Sequence, residues 1–373
     1  MLQNRIIYFL KNLDWGIIAS SFFLTSLGLL SIYSSSQENF LNFYKQLVFF
    51  LLGIIFLFLF AKFDYRLFRT NSFFVLFLYC LGLVLLSGLF IFGKEIRGTR
   101  AWYHLGIISF SPTELVKIIL VIVLAKFFSF RHKELYKIRH IILSGIYVLI
   151  PAILIYKQPD LGSVLIIIAL WLGMLFVSGI KMRHFLILVL VGIILLVFAW
   201  NNLLKDYQKE RIISLLKPDY KPLEIGWNQR QAKIAIGNGG LFGQGFKKGT
   251  QTQYGFLPEP QTDFIFSAIA EEFGFFVICL LLAAYFYLIW RIIKISFLAQ
   301  DNFARLFCSG IAALLIFQFF INVGTNLGFL PVIGLPLYFV SYGGSSLLFI
   351  YIALGIVENI YLTSKRTLKR ESV

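Results

Sequence analysis

Residues 109–127 read SFSPTELVKIILVIVLAKF, and their reading decides the fold class. From Ile118 to Ala125 no residue is polar, and no alternation marks a half-buried strand. A bilayer core demands about 20 such residues in a helix, and similar runs recur along the chain. The composition agrees: 59% of residues are hydrophobic and 14% charged, with a mean hydropathy of +0.82. Soluble domains carry about 25% charged residues. The reading is an all-α integral membrane protein of about ten transmembrane helices, with residues 1–373 forming a single polytopic domain.

The spans are expected near 14–34, 43–61, 71–92, 112–130, 140–157, 161–180, 184–201, 264–290, 305–325 and 339–361. An even number puts both termini on one side. Lys and Arg in the N-terminus, 62–69, 131–139, 181–183, 291–305 and the tail SKRTLKRE mark that side as the cytoplasm by the positive-inside rule. The loops at 35–42, 93–111, 157–160 and 326–338 then face outward. So does the long segment 202–263, which exceeds ordinary connection lengths. Within it, LKDYQKERIISLLKPD suits an amphipathic surface helix, and GWNQRQAKIAIGNGG a second short helix closed by glycines. The net charge of +16 is thereby spent on topology. No segment has the clustered basic face with interleaved aromatics that nucleic acid requires. Cys80, Cys279 and Cys308 lie inside apolar runs and read as small buried hydrophobes with no disulfide. The apolar run after MLQNRIIYFLKNLDWG is too long for a signal-peptide core, so it reads as a retained first span.

Several residues exceed what a span needs. Ser111, Pro112 and Glu114 match a capping box, but Lys117, at i+3 from Glu114, sits within the apolar run. Paired charges at membrane depth face a cavity or substrate path, so Glu114 and Lys117 are candidates to hold an anionic headgroup. Arg97 and Arg100, beside Trp102 and Tyr103, break the positive-inside trend on the outer face. They suit a phosphate, or simply anchor an aromatic belt. Asp160, in KQPDLGS, has the spacing of an N-cap. The run GNGGLFGQGFKKGTQTQ lacks the Lys-Ser/Thr ending of a phosphate loop, so loop architecture is its default reading. In GFLPVIGLPLYFVSYGGSS, prolines and glycines at membrane depth require burial in protein or a cavity. Ser341, Ser345 and Ser346 suggest a cavity wall, and Gly343 and Gly344 equally suggest close helix packing.

Asp263, in FLPEPQTDFIFSAIAEEFGF, stands where a lipid-facing helix begins. It suits a helix-dipole acid, capped by Thr262, or a base tuned by a low-dielectric boundary to accept a hydroxyl proton. Arg211, Arg230 and Lys233 are near it in sequence. Glu259, Glu271 and Glu272 read as loop and helix-packing acids.

The stretches GTRAWYHLGIISFSPTELVKI, QPDLGS, AIGNGGLFGQGFKKGTQTQYGFLPEPQTDFIFSAIAEEFGF and LPVIGLPLYFVSYGGSSL resemble, in the same order, the SEDS family of shape, elongation, division and sporulation proteins. Its elongation branch, RodA, is the nearer match. Pro260 and Gln261 depart from common family residues without removing a chemical group. The resemblance implies a peptidoglycan glycosyltransferase that polymerises lipid II outside the cytoplasmic membrane. It places the family's essential acid on Asp263, its paired charges on Glu114 and Lys117, and further site residues on Arg100 and Asp160. Undecaprenyl diphosphate would leave, steadied by Lys117, Arg100, Lys233 or Arg230, with Ser341 lining the substrate path. A divalent ion, Mg²⁺ or Mn²⁺, would be shared with the diphosphate, and no organic cofactor is implied. The implied partners are lipid II, the growing glycan strand and a class B penicillin-binding protein. A lipid II flippase and a non-catalytic scaffold are the alternatives.

Overall fold

The computed structural model describes residues 9–37, 39–96, 99–106, 108–131, 138–202, 206–216 and 226–371. A helix stands at every expected span. These are α1 (Trp15–Ser35), α2 (Leu41–Lys62), α4 (Ser72–Phe92), α5 (Pro112–Arg131), α6 (Ile138–Tyr156), α7 (Leu161–Val177), α8 (Met182–Asn202), α12 (Ile265–Leu298), α13 (Asn302–Leu327) and α14 (Gly344–Glu371), with a short α3 (Arg66–Thr70) between α2 and α4. Seven of the described helices are long and apolar enough to cross a membrane. The long connection holds α9 (Asp206–Leu216), α10 (Trp227–Asn238) and α11 (Thr250–Gln253), so both short helices expected from the sequence form.

Helix α5 lies at the centre, with sixteen of its twenty residues buried. The outer helices α4, α6 and α8 turn large apolar residues such as Phe77, Val84, Leu149 and Leu190 outward. That inversion, with apolar groups on the outer surface, is what a lipid solvent selects. Glycines let the helices approach closely. A Cβ on Gly344 would strike Phe49, and one on Gly355 would meet the Leu57 carbonyl oxygen. The packing reading of Gly344 is therefore the one observed, between α2 and α14. The cysteines are free, but only Cys308 is buried. Cys80 and Cys279 are exposed, which corrects the expectation of burial: an apolar helix face turned to lipid accepts a thiol as readily as a core does.

Between α4 and α5 the chain forms an antiparallel sheet of β1 (Lys94–Ile96), β2 (Thr99–Leu105) and β3 (Ile108–Phe110) in the order β1-β2-β3. The sequence predicts a loop over 93–111. Tyr103 pairs with Phe110 and sends its hydroxyl to the Leu85 carbonyl of α4 at 2.7 Å. Burial raises the pKa of that phenol, keeping it a donor.

The start of α1 meets α12 and α14 at one end of the bundle. Arg291 grips the Asp14 carboxylate, and the Asp14 amide donates to Glu358 at 3.0 Å. At the other end of α1, Ser36 Oγ receives a 3.4 Å hydrogen bond from Gln261. The turn that carries Asp263 is thus about 30 Å from the Asp14–Glu358 contact, the length of α1 at 1.5 Å per residue.

Helix α12 breaks at Gly274, whose φ of 77° and ψ of −177° only glycine adopts without strain. The break frees backbone groups at membrane depth, and the glycine-rich run fills them. Gln244 and Gly245 amides donate to the Glu271 and Glu272 carbonyls at 2.9 and 3.0 Å, while Phe275 and Phe276 amides donate to Gly240 and Leu241. A Cβ on Gly243 would run into the Glu272 carbonyl, so the loop can approach only as glycine. Buried Glu271 caps α11, accepting from the Gln251 amide at 2.6 Å and from the amide and hydroxyl of Thr252 at 3.0 and 2.7 Å. Glu272 accepts from Ser34 and Gln253 at 2.6 and 2.9 Å. The run GNGGLFGQGFKKGTQTQ is the backbone partner of a broken helix, in keeping with its default reading as loop architecture.

Candidate active site

The site forms where two irregular pieces, the turn 259–264 and the segment 328–343, meet α10 and α9 at the Asp263 end of the bundle. The turn is fixed from several sides. Thr262 and Phe264 amides donate to the Glu259 carbonyl at 3.2 and 3.3 Å. Ser341 Oγ donates to the Thr262 carbonyl at 2.7 Å, and the Tyr342 amide donates to the Gln261 carbonyl at 2.7 Å. The Asp263 carbonyl itself accepts from Asn322 at 3.2 Å and Asn326 at 2.9 Å. Asp263 is therefore held by its backbone.

The first turn of α12 does not rely on Asp263 for its cap. Phe264 occupies the N-cap without a side-chain bond. Asn326 instead reaches across from α13 to accept from the Ser267 amide at 3.1 Å and its hydroxyl at 2.6 Å. Thr262 does not cap the helix either. Its hydroxyl turns back to Glu259 at 3.3 Å. The cap expected from Thr262 is thus replaced by one supplied from another helix.

A polar ladder on α13 makes this possible. Gln318, Asn322 and Asn326 recur every fourth residue, so they share one helix face. Their amides donate to Pro336 at 2.8 Å, to Leu335 at 2.8 Å and to Asp263. Thr325 donates to the Pro331 carbonyl at 3.1 Å, and Gln229 of α10 to that of Leu330 at 2.7 Å. The carbonyls of the Pro-rich segment are thereby satisfied inside the protein, which is the condition for irregular backbone at membrane depth. Gly334, with φ of +77°, has the space of its absent Cβ 3.6 Å from Asp263 Oδ2.

The expected site residues fall into three groups. Glu114 and Lys117 form a buried ion pair at 2.8 Å, with side-chain exposures of 10% and 0%. Tyr338 donates to the other Glu114 oxygen at 2.7 Å, and its ring lies 5.9 Å from the ammonium. The expected capping box is absent: the Ser111 amide goes to Ser345 at 3.2 Å and Glu114 spends its oxygens on Lys117 and Tyr338. The pair therefore anchors segment 328–343 and does not open to the surface. Ser341 is also buried, with its hydroxyl engaged by the Leu337 amide at 2.8 Å and the Thr262 carbonyl. It is a latch on the turn rather than an open cavity wall.

Asp160 caps α7, accepting from the Ser163 amide at 3.0 Å, so its structural reading holds. Gly162, two residues on, packs on Ile333 and Leu335, which places that cap behind the same segment. Arg100 is exposed on β2, and its amide donates to the Gln158 carbonyl at 3.4 Å. Arg97 lies outside the described residues. Arg230 and Lys233 are exposed on α10, and the Lys233 chain lies across Gly328, where a Cβ would meet its ammonium. Arg211 donates to the Val332 carbonyl at 2.9 Å, two residues from Gly334. Cations thus reach the segment that faces Asp263. Sequence reasoning missed Tyr338, Asn322 and Asn326, although the amides at i, i+4 and i+8 in an apolar helix were a readable signal.

The model of the cell cycle protein family of FtsW, RodA and SpoVE matches residues 8–366. The peptidoglycan glycosyltransferase MrdB of Escherichia coli K12 is 38% identical over 289 residues, covering 78% of each chain. The crystal structure of the rod shape determining protein RodA of Thermus thermophilus superposes with a TM-score of 0.70 at 31% identity, over 94% of this chain and 96% of that one. A chain from a structure on the coordination of polymerization and crosslinking by a peptidoglycan synthase complex gives 0.82 at 32% identity, over 94% and 98%. With the family model spanning nearly all of it, this chain belongs to the FtsW, RodA and SpoVE family of cell cycle proteins.

Proposed function

We propose that the protein is a peptidoglycan glycosyltransferase that polymerises lipid II on the outer face of the bacterial cytoplasmic membrane, serving elongation and cell shape, with both termini in the cytoplasm. The observation that carries the reading is the Asp263 turn. The backbone of a carboxylate residue is held by two asparagines through its carbonyl, its side chain lies against Gly334, and cationic side chains reach the opposing segment.

The sugar 4-hydroxyl of one lipid II attacks the anomeric carbon of the growing strand's muramyl sugar. Asp263 accepts the hydroxyl proton, the new glycosidic bond forms, and the bond to undecaprenyl diphosphate breaks. Charge grows on the departing diphosphate, and Arg211, Lys233 and Arg230 are the cations placed to receive it. Asp160 lies behind segment 328–343, beside Gly162, and the Arg100 backbone is tied to the same turn through the Gln158 carbonyl. Lys117, Glu114 and Ser341 act through that segment by holding it in register. Among the described residues no three His, Cys, Asp or Glu side chains converge on a metal position. A Mg²⁺ or Mn²⁺ ion would therefore come with the diphosphate, ligated mainly by phosphate oxygens and water. The partner is a class B penicillin-binding protein that crosslinks the new strand, a pairing supported by the likeness to a chain of a peptidoglycan synthase complex.

Purified protein supplied with lipid II in detergent should yield glycan strands. Lipid II translocation in vesicles without any polymer would favour a flippase. Wall growth that depends on the partner but survives Asp263→Ala would favour a scaffold.

A further inference from the structure

Helix α2 belongs to the outer shell of the bundle, and Tyr44, Val48, Leu51 and Ile55 are exposed along it. Its inner stripe is Gln46, Phe50, Gly53, Leu57 and Ala61, the spacing of one helix face. Gln46 is the one polar member, with 1% exposure. An amide buried that far costs free energy unless its donor and acceptor find partners. Both do: Gln46 Nε2 donates to the Ser341 carbonyl at 3.1 Å, and its Oε1 accepts from the Gly343 amide at 3.0 Å. A side-chain amide presents a donor and an acceptor together, which suits the carbonyl of one residue and the N–H two residues on.

The backbone it grips needs holding. Phe339, just before it, has a φ of +69°, an outlier for a bulky residue, and such a conformation persists only where its surroundings determine it. The gripped residues in turn hold the acid's neighbours. The Ser341 hydroxyl donates to the Thr262 carbonyl at 2.7 Å, and the Tyr342 amide donates to the Gln261 carbonyl at 2.7 Å. Those carbonyls belong to the two residues before Asp263. One turn earlier on α2, Asn42 donates to the Gln261 side chain at 2.8 Å, so the same helix also meets the turn 259–264 directly.

We propose that Gln46 is a positioning residue for glycosyl transfer: it fixes the 341–343 backbone and, through Ser341 and Tyr342, the place of the Asp263 carboxylate. The inference rests on the glycosyltransferase reading and extends it to α2, which carries none of the site residues. The asparagines of α13 hold the Asp263 carbonyl, and Gln46 holds the two residues before it by way of segment 328–343. A general base works only within about 3 Å of the hydroxyl it deprotonates. A shifted turn therefore loses proton transfer while the substrate still binds.

The test is lipid II polymerisation by purified wild type, Gln46→Met, Asp263→Asn and the double variant. Methionine fills the space of the glutamine and makes neither hydrogen bond. Gln46→Met should lower kcat by roughly tenfold to a hundredfold and leave KM for lipid II within about twofold. In the Asp263→Asn background the same substitution should cost less than about twofold, because a side chain that accepts no proton gains nothing from its placement. Equal losses in the two backgrounds overturn the proposal, as does a loss carried by KM alone. Gln46→Asn, which keeps an amide one methylene short of the turn, repeats the measurement should Gln46→Met not purify as folded protein. The same pattern then supports positioning, and a wild-type kcat overturns it. If wild type makes no polymer, the glycosyltransferase reading fails, and hydrogen exchange decides whether Gln46 holds the turn. Residues 259–264 and 337–343 should exchange faster in Gln46→Met with α5 unchanged, and equal exchange overturns the proposal.

Discussion

Lys117 is fully buried with one carboxylate and one aromatic ring beside it. Such an ion pair contributes modestly as a whole but penalises the loss of a single partner, because the survivor is left charged in a low-dielectric interior. Glu114→Gln should therefore destabilise by about 3–5 kcal/mol. The double replacement Glu114→Gln/Lys117→Met should recover most of that, as read from apparent melting temperatures in detergent. Recovery of stability without recovery of polymerisation would mark the pair as a positioning device for Tyr338. At this scale the sequence was informative about type and less so about role. The pair itself was legible as two charges at i+3 in an apolar run, whereas Tyr338 was not, because it is 221 residues from Lys117 in the chain (338 − 117). Nor could Ser341 be seen as a latch, since its partner is a backbone carbonyl of another segment.

Among the elements, α13 and the glycine-rich loop do the positioning. Asn326→Leu removes a donor to the Asp263 carbonyl and the cap on Ser267. A misplacement near 1 Å costs about a hundredfold in rate, so Asn326→Leu should lower turnover by that order while the protein still inserts and purifies. Unchanged turnover would show that the ladder does not position the acid. Gly243→Ala meets both a positive φ of 81° and the Glu272 carbonyl. Strained backbone costs of order 1–3 kcal/mol, so the variant should melt lower than wild type. Helices were readable from apolar runs alone, and α9 and α10 from their mixed periodicity. The sheet of β1 to β3 was not: its strands of three, seven and three residues are too short for alternation to register. The helix break at Gly274 was equally hidden, since a lone glycine in an apolar run also suits close packing.

For the whole molecule, the expected sidedness follows from the distribution of Lys and Arg, and the structure adds that Asp14 and Glu358 meet at one end of α1 while the Asp263 turn stands at the other. In a variant lacking the native cysteines, Tyr254→Cys, exposed just after α11, should react with a membrane-impermeant maleimide added outside intact cells. Labelling only after lysis would reverse the topology. What positive-inside counting could not supply is the convergence of segment 328–343, α10 and the turn, because those contacts join parts of the chain far apart in sequence.

The most direct measurement is polymerisation of lipid II by purified wild type and Asp263→Asn, a substitution that keeps size and the backbone bonds to Asn322 and Asn326 but removes the proton acceptor. Loss of a general base costs about 10²–10⁴-fold, so strands should form with wild type and fall by at least that order with the variant, at an unchanged melting temperature. Polymer made by Asp263→Asn at the wild-type rate would contradict the account.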